Sequence, residues 1–316
     1  MAYNDYTKFN FIDSIGENLL ISQLESNLKT YLDWSLLEIG SFTNIAIPTS
    51  GAFGGSYDSM RVVKDPSYTD GRVWETARKD WVWETGLTYA TQPINITGVY
   101  ISGTMYGTGS IASHHYNYPL GRVVFDNPIR TTSTVKISHS YRNVQVYIAD
   151  QAPWWDELQY NSLRVDNSTF NYTASGDWNI LANHRVQLPA VVIEAIPRRS
   201  FKPYEMGNVS NFVYQDVIFH VIAESRWWRN QLVDILSLQK DKTIWLYDNN
   251  AILAATGYPL DYRGMRKTNP LMYPTFVQDY RYKMARFFNA NVIEMRSLNN
   301  RLKTGQVRVT FEIVVA

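Results

Sequence analysis

The sequence predicts an α+β fold that is mainly antiparallel β, with a long N-terminal helix and a C-terminal core of mixed sheet and helix. Near the N-terminus, apolar residues recur every three or four positions, which is the period of a helix with one buried face. From about residue 72 the apolar residues alternate with polar ones instead, as in strands. The regular alternation of strand and helix that is typical of a parallel sheet is missing from this pattern.

The N-terminal helix has a start signal, an apolar stripe and an end signal. Ser14 and Glu17 have the spacing of a capping box, in which both side chains satisfy backbone N–H groups of the first turn. Leu24 and Leu28 belong to the apolar stripe that follows. Gly40 predicts the end of the helix, because glycine is the common residue just after a helix C-terminus.

Short strands are predicted through the middle of the chain. Residues 99–101, 135–141 and 144–148 alternate between apolar and polar side chains. Residues 121–128 predict a strand that runs into an Asn-Pro turn. The polar stretch 154–185, rich in Asn, Ser and Tyr, predicts loops or a linker.

The C-terminal third predicts a mixed core of strands and one helix. Two long strands are expected at residues 186–196 and 213–223, followed by a helix over 225–239 with one apolar face. Residues 242–247 return to strand. The last strand, 306–315, has the most regular alternation in the sequence.

These changes of pattern divide the chain into four predicted parts. Residues 1–71 form an N-terminal helix and loop region that contributes to the core. Residues 72–150 form an antiparallel, hairpin-rich insertion, and residues 151–185 form a loop or linker. Residues 186–316 form the mixed β/α core, which is the segment with both long strands and a helix.

Composition excludes several classes of function. Of 316 residues, 45% are hydrophobic and 19% charged, so the chain has enough apolar side chains for a globular core. Lys and Arg total 30 against 29 Asp and Glu, and a net charge of +1 gives no field that would attract nucleic acid or an anionic membrane. With no cysteine, disulfides, thiolate metal sites and a cysteine nucleophile are excluded. Residues 1–6 lack the pattern of a signal peptide, and no apolar run is long enough to span a membrane.

The sequence contains no convincing catalytic, cofactor or metal motif. Residues 107–112 match a dinucleotide-binding pattern, but residues 113–119 do not begin a helix, so a loop is expected instead. His114 and His115 point to opposite faces of an extended strand and have no third ligand at a suitable spacing, so surface or hydrogen-bonded histidines are expected. The acidic pair at 156–157 is the kind of feature a glycosidase needs, but almost any chain of this length offers one. We therefore expect no catalytic residue, no cofactor and no metal.

Aromatic residues and arginines suggest a subunit interface. The chain has 22 Tyr, 13 Phe and 10 Trp, and two adjacent tryptophan pairs cannot place both rings in one pocket. The alternatives are that the aromatic side chains fill the sheets and that the arginines form a solvated basic face. The candidate interface residues are Trp154, Trp155, Arg198, Arg199, Arg226, Trp227, Trp228 and Arg229.

Four segments of the chain resemble a known class of proteins. Residues 31–40, 69–75, 118–126 and 231–242 are similar to segments of virion structural proteins from contractile-tailed bacteriophages, especially those that infect cyanobacteria. The resemblance covers most of the chain and supplies no catalytic residue.

The resemblance implies both a fold and a role. Residues 213–247 are similar to the mixed sheet-and-helix core of tail-terminator and neck ring proteins, and residues 121–126 resemble a β-insertion common in phage tail-region proteins. The expectation is a non-enzymatic virion protein that forms a homo-oligomeric ring, a hexamer because tails are sixfold, at the head–tail junction. Such a ring would be a neck, tail-terminator or tail-completion component of the assembled virion.

The expected partners follow from that role. They are copies of the same chain, other neck, portal-adaptor, tail tube or sheath proteins, and viral DNA that passes through the lumen without sequence-specific binding. No membrane partner is expected. The alternatives are a baseplate, collar or head-decorating virion protein, a carbohydrate-binding receptor module that uses the Tyr and Trp side chains for stacking, and a glycan-degrading tail enzyme.

Overall fold

The structure is a computed structural model, and it describes residues 20–47, 57–152, 155, 187–203, 211–297 and 302–315. The fold is α+β with mostly antiparallel strands, as predicted. Its helices are α1 (Leu20–Glu38), α2 (Arg226–Ser237), α3 (Asn249–Ala254) and α4 (Tyr273–Asp279), with a 3₁₀ turn at Ala149–Gln151. The strands that precede α2 are β1 (Phe42–Ile45), β2 (Met60–Val62), β3 (Val73–Thr76), β4 (Val99–Ile101), β5 (Thr104–Tyr106), β6 (His114–Asn117), β7 (Arg122–Phe125), β8 (Val135–Ile137), β9 (His139–Arg142), β10 (Gln145–Ile148), β11 (Ala190–Pro203) and β12 (Asn211–Ala223). The remaining strands are β13 (Thr243–Tyr247), β14 (Arg281–Ser297) and β15 (Lys303–Val315).

A six-stranded sheet with the order β10-β11-β12-β15-β14-β13 forms the larger part of the molecule. The β10–β11 pair is parallel, and every other neighbouring pair is antiparallel. Helices α1 and α2 both pack on one face of this sheet, which we call the inner face. The opposite face is called the outer face below.

Strand β15 shows how the sequence builds the two faces. Val307, Val309, Phe311 and Ile313 are all fully buried against the helices. The residues between them point to the outer face because side chains alternate along a strand. The predicted final strand is therefore confirmed, and it begins three residues earlier than the sequence suggested.

Helix α1 ends where its sequence predicts. Gly40 has a φ of +85°, a left-handed conformation that glycine adopts without a steric penalty. Its N–H donates to the carbonyl of Leu37 at 2.8 Å, and the N–H of Ser41 donates to that of Leu36 at 2.9 Å. The helix is confirmed from residue 20 to residue 38, and the predicted capping box at Ser14 and Glu17 lies outside the described residues.

Two elements differ from the sequence predictions. Strand β11 was expected to end near residue 196, but it continues through Pro197 to Pro203. The pairing with β12 shifts register between Ala195 and Arg199, and such an irregularity accommodates a proline that has no N–H to donate. Strand β14, with 17 residues, was not predicted at all.

A smaller β region, formed by strands from β1 to β9, has its own core. It contains the sheets β2-β3-β7-β6, β5-β4-β8 and β1-β9. Trp81, Val99, Val123, Phe125 and Ile137 are almost completely buried in this second core. Strands β1 and β2 belong to it, although they precede residue 72.

Helix α2 comes very close to the sheet at Gly305. Ser225 caps the helix by accepting a hydrogen bond from the N–H of Trp228 at 3.2 Å. A Cβ atom at position 305 would lie 2.7 Å from Cγ2 of Val233 and 3.4 Å from Cγ of Arg229. Only glycine fits between β15 and this helix without a shift.

Replacing Gly305 with valine is expected to lower the free energy of unfolding by about 1–3 kcal/mol, the usual cost of overpacking a core. Urea denaturation would measure the change. The Val233→Ala substitution should recover part of the loss when combined with Gly305→Val, because it removes the methyl group that the new side chain meets. Strictly additive losses in the double variant would contradict this close packing.

Candidate functional site

The outer face of the six-stranded sheet is polar at its centre. Arg308 and Thr310 of β15 point to this face, and across the sheet Thr310 pairs with Asp216 of β12. On the other side of β15, Arg308 pairs with Asn291 of β14. With Arg198 and Ser200 of β11, four neighbouring strands bring polar side chains together on a surface that neither α1 nor α2 covers.

The Asp216 carboxylate lies at the centre of this polar surface. Its side chain is 5% exposed, and Oδ1 accepts a hydrogen bond from the hydroxyl of Thr310 at 2.5 Å. Oδ2 accepts one from the guanidinium of Arg308 and lies 3.6 Å from Nε of Arg198. A buried carboxylate is unfavourable unless it is paired, and this one is paired with two arginines. It holds both guanidinium groups in place.

A cavity of about 460 Å³ opens beside Asp216. Its volume lies within the usual range for ligand pockets. Among the described residues, the side chains of Ser200, Asn289 and Asn291 have no hydrogen-bond partner. Two arginines against one aspartate give the lining a net charge of +1. The residues that line the cavity are Arg198, Ser200, Tyr214, Asp216, Asn289, Asn291, Ile293, Arg308 and Thr310.

A chain of polar contacts continues from the cavity along the outer face. The Tyr214 hydroxyl donates to Oε2 of Glu312 at 2.9 Å. Arg286 lies 4.0 Å from the other oxygen of Glu312 and donates to Asp241 at 2.7 Å. Partial burial and the bond to Glu312 raise the pKa of Tyr214, so the phenol remains a donor at neutral pH. These contacts hold Tyr214, which lines the cavity, in place.

Exposed apolar side chains lie on the outer face beside the polar cavity. Trp245 of β13 and Met284, Phe288 and Ile293 of β14 are between 42% and 50% exposed. Trp245 and Met284 are cross-strand partners, and the guanidinium of Arg281 lies 4.2 Å from the Trp245 ring. A surface that combines exposed aromatic and aliphatic groups with arginines has the composition of a protein interface.

The predicted interface residues in and near the sheet differ in their exposure. Trp154 lies outside the described residues. Trp155 is 6% exposed, and its ring packs 4.5 Å from that of His220, so it fills the interior of this chain. Arg198 is largely exposed and lines the cavity. Arg199 donates to Gln215 at 2.9 Å, while its Nη2 is buried with no partner among the described atoms.

The predicted interface residues of α2 also differ in their exposure. Arg226 and Trp227 are exposed, and the Trp227 side chain is 62% accessible. Trp228 is half-buried, and the two indole rings meet edge to face at 4.8 Å. Arg229 is buried and donates to the carbonyl of Arg296 at 3.3 Å, which ties α2 to β14. Of the predicted α2 residues, Arg226 and Trp227 are therefore the two that are exposed to another chain.

Several residues of the cavity were not among the predicted site residues. Arg308 and Thr310 are the polar members of the predicted final strand, and that alternation was the available signal. Asp216 interrupts an apolar strand, which is a sign of a polar contact across the sheet. Asn289 and Asn291 carry no comparable signal, because β14 itself was not predicted.

A second group of charged residues, which we call the Arg142 cluster, has two buried members, Arg142 and Glu84, and two partly buried ones. It consists of Arg142, Asp33, Asp80 and Glu84. Arg142 lies 3.4 Å from Asp80 and 3.6 Å from Glu84, and it donates to the backbone carbonyl of Asp33 at 3.4 Å. The cluster joins α1 to β9 and to the loop around residues 80–84. The guanidinium therefore contacts two carboxylates, and it attracts the nearby carboxylate of Asp33 electrostatically.

Burial controls the ionisation of the Arg142 cluster. Desolvation raises the pKa of Asp33 to about 6 and that of Glu84 to about 7, although Arg142 opposes both shifts. The pKa of Asp80 is also raised by burial. One positive charge cannot neutralise three carboxylates, so protons bound by these carboxyl groups stabilise the cluster. Its contacts tie α1, the loop at residues 80–84 and β9 together, which is a structural role.

The described residues contain no group of three or more His, Asp or Glu side chains arranged to hold a metal ion. His114 and His115 lie on β6, the first buried and the second half-buried, on opposite faces of the strand. Residues 107–112 form turns and bends, and no helix begins there, as the sequence indicated.

Comparison with known proteins does not assign this chain to a family. Neither a scan against protein-family models nor a search of curated proteins found a match to this chain. The fold and site define an α+β protein with a mixed six-stranded sheet, two helices on the inner face and a positively charged cavity on the outer face. None of the helices described here has the length and apolarity needed to cross a membrane.

Proposed function

We propose that this chain is a structural virion protein that forms a ring at the head–tail junction of a tailed bacteriophage, as a neck, tail-terminator or tail-completion subunit. The proposal begins from the resemblance of residues 31–40, 69–75, 118–126 and 231–242 to phage virion proteins. The observation that supports it best is the edge of the six-stranded sheet at β14.

The second half of β14, residues 288–297, has an open strand edge. The pairing of β14 with β13 ends at Arg286, and Phe287 makes the last backbone hydrogen bonds on that side, with Lys242 and Asp241. Among the described residues, 288–297 pair in the sheet with β15 alone. Phe288, Val292, Ile293 and Met295 in this stretch are all more than 40% exposed. An open edge with apolar side chains is a template for pairing with another chain.

A ring built from identical subunits requires two complementary surfaces on each subunit, which meet head to tail. The open edge of β14 supplies one such surface, and the exposed Arg226 and Trp227 of α2 supply arginine and aromatic groups for a contact. Copies of the chain would bind one another here, and neighbouring neck, portal-adaptor, tube or sheath proteins would bind the rims. Viral DNA would pass through the lumen without base-specific contacts.

Imaging of the intact particle tests the proposed location. An antibody fragment or gold label bound to an epitope tag on this chain should decorate the junction between head and tail. Label on the baseplate or across the head surface would replace the proposed location with one of the other virion positions. Absence of the chain from purified particles would contradict a virion role.

Trp227 should contribute more to assembly than to folding. The Trp227→Ala substitution removes an exposed indole and is expected to weaken association about tenfold or more, as loss of an aromatic anchor does at other interfaces. The melting temperature of the unassembled chain should change little. Light scattering across a dilution series would measure association, with Leu253→Ala, an equally exposed apolar side chain on α3, as the control. Unchanged association would remove Trp227 from the interface.

A further inference from the structure

The cavity beside Asp216 has donors that the chain itself does not use. In the described structure, Asn289, Asn291 and Ser200 have no side-chain partner, and Arg308 uses one of its five N–H groups on Asp216. Most of the Arg198 side chain is exposed, with Nε turned toward the same carboxylate. Guanidinium and amide donors that converge on one cavity are the groups that bind oxyanions.

The charge of the cavity favours a single negative charge. Arg198 and Arg308 carry two positive charges, and the buried Asp216 neutralises one of them. A carboxylate would balance the remaining charge. A phosphate dianion would leave one negative charge unpaired close to Asp216, which is unfavourable where water is partly excluded. A planar carboxylate also matches the fork of an arginine side chain.

The position of the cavity favours a carboxylate carried by an extended peptide. Asn289, Asn291 and Ile293 line the cavity and also belong to the open edge of β14. A strand added at this edge would lie about 4.8 Å from β14, with every second side chain on the outer face. An acidic side chain on that face would reach across β14 toward Asn291 and its cross-strand partner Arg308.

We propose that the cavity binds the carboxylate of an aspartate or glutamate in an extended segment of a neighbouring subunit, which adds to the sheet at the open edge of β14. The carboxylate chemistry follows from the cavity itself. The identification of the peptide as part of a neighbouring subunit rests on the proposed function. Backbone pairing supplies affinity, and the cavity selects the acidic residue and sets the register.

A labelled peptide tests this proposal on the full-length chain. The probe is a short Ser/Thr/Val peptide with one central glutamate, and the matched control has glutamine at the same position. Fluorescence anisotropy should show that the glutamate peptide binds about tenfold more tightly, which is the value of one charge-assisted contact. Added salt should reduce this difference.

Two substitutions distinguish binding of the carboxylate in the cavity from a general effect of positive charge on β11. Asn291→Asp keeps the shape of the side chain but adds a negative charge, and it should remove the preference for glutamate. Lys202→Ala removes an exposed cation from the same strand as Arg198, outside the cavity, and should leave the preference intact. Folding of both variants is checked by thermal unfolding, since Asn291 and Lys202 are exposed.

Several outcomes would overturn the proposal. Equal binding of the two peptides, or no binding of either, would remove the carboxylate site. Displacement of the peptide by galacturonic acid or inorganic phosphate at lower concentrations than free glutamate would show that the cavity takes an acidic sugar or a phosphate instead. A monomeric chain that still prefers the glutamate peptide would support the cavity and contradict the ring. A chain that forms a ring but shows no preference for the glutamate peptide would support the ring and contradict the carboxylate site.

Discussion

Replacing Arg142 with methionine is expected to lower the free energy of unfolding by about 3–5 kcal/mol at neutral pH, as loss of one partner from a buried ion pair does. The guanidinium is 6% exposed and is the only cation within contact distance of Asp80 and Glu84 among the described residues. Methionine preserves much of the side-chain volume and removes the charge. Three carboxyl groups would then face one another without a cation.

Urea denaturation at neutral and at acidic pH measures this effect. The loss should be smaller near pH 5, because protonated carboxyl groups no longer need the guanidinium. Arg130→Met is the matched control, since Arg130 is exposed and its substitution should change stability by less than about 0.5 kcal/mol. Equal losses in the two variants, or a loss independent of pH, would show that the Arg142 cluster contributes little.

Replacing Glu84 with glutamine is expected to stabilise the protein at pH 8. Burial raises the pKa of Glu84 from 4.5 to about 7, so the folded protein binds this proton more tightly than the unfolded chain does. The resulting stability is complete below pH 4.5 and is lost as the pH rises through 7. The difference between the two pKa values corresponds to about 3 kcal/mol at most. Glutamine imitates the protonated carboxyl group and keeps the same shape.

The expected result is a flatter dependence of stability on pH. Glu84→Gln and the natural chain should be similar near pH 5, and the variant should be more stable by about 2–3 kcal/mol at pH 8. Denaturation midpoints across this range would show the divergence. Asp70→Asn, at an exposed carboxylate in a turn, serves as the control. A variant less stable than the natural chain at pH 8 would mean that ionised Glu84 stabilises the fold through Arg142.

Strand β15, which has one regularly buried face, was predictable from the sequence, and strand β14 was not. In β15 every second residue is apolar and buried, so its period identifies it and its two faces. In β14 the pairing shifts register after Phe287 and again after Val292. Each shift reverses which residues face the core, and the apolar residues no longer alternate. In addition, a strand that binds another chain along its open edge does not need polar side chains on its outer face.

The charged residues of the interior show a second limit of sequence reasoning. Arg142 and Asp216 belong to the residue types that are usually exposed, so their burial has no local signal. Both are stabilised by partners distant in sequence, Arg142 by Asp33 and Asp80, and Asp216 by Arg308. Composition correctly indicated an excess of aromatic side chains, but it did not separate Trp155, which is interior, from Trp227, which is exposed.

The most direct test of the account is the mass and shape of the purified chain. Light scattering coupled to size-exclusion chromatography should give a mass close to six times 36.5 kDa, and electron microscopy of the same fraction should show closed rings with a central channel. Substitution of Ile293 and Met295 with lysine on the open edge of β14 should return the chain to a folded monomer. A natural chain that stays monomeric at every concentration, with the edge of β14 exposed to solvent, would contradict the claim that this edge exists to bind other subunits.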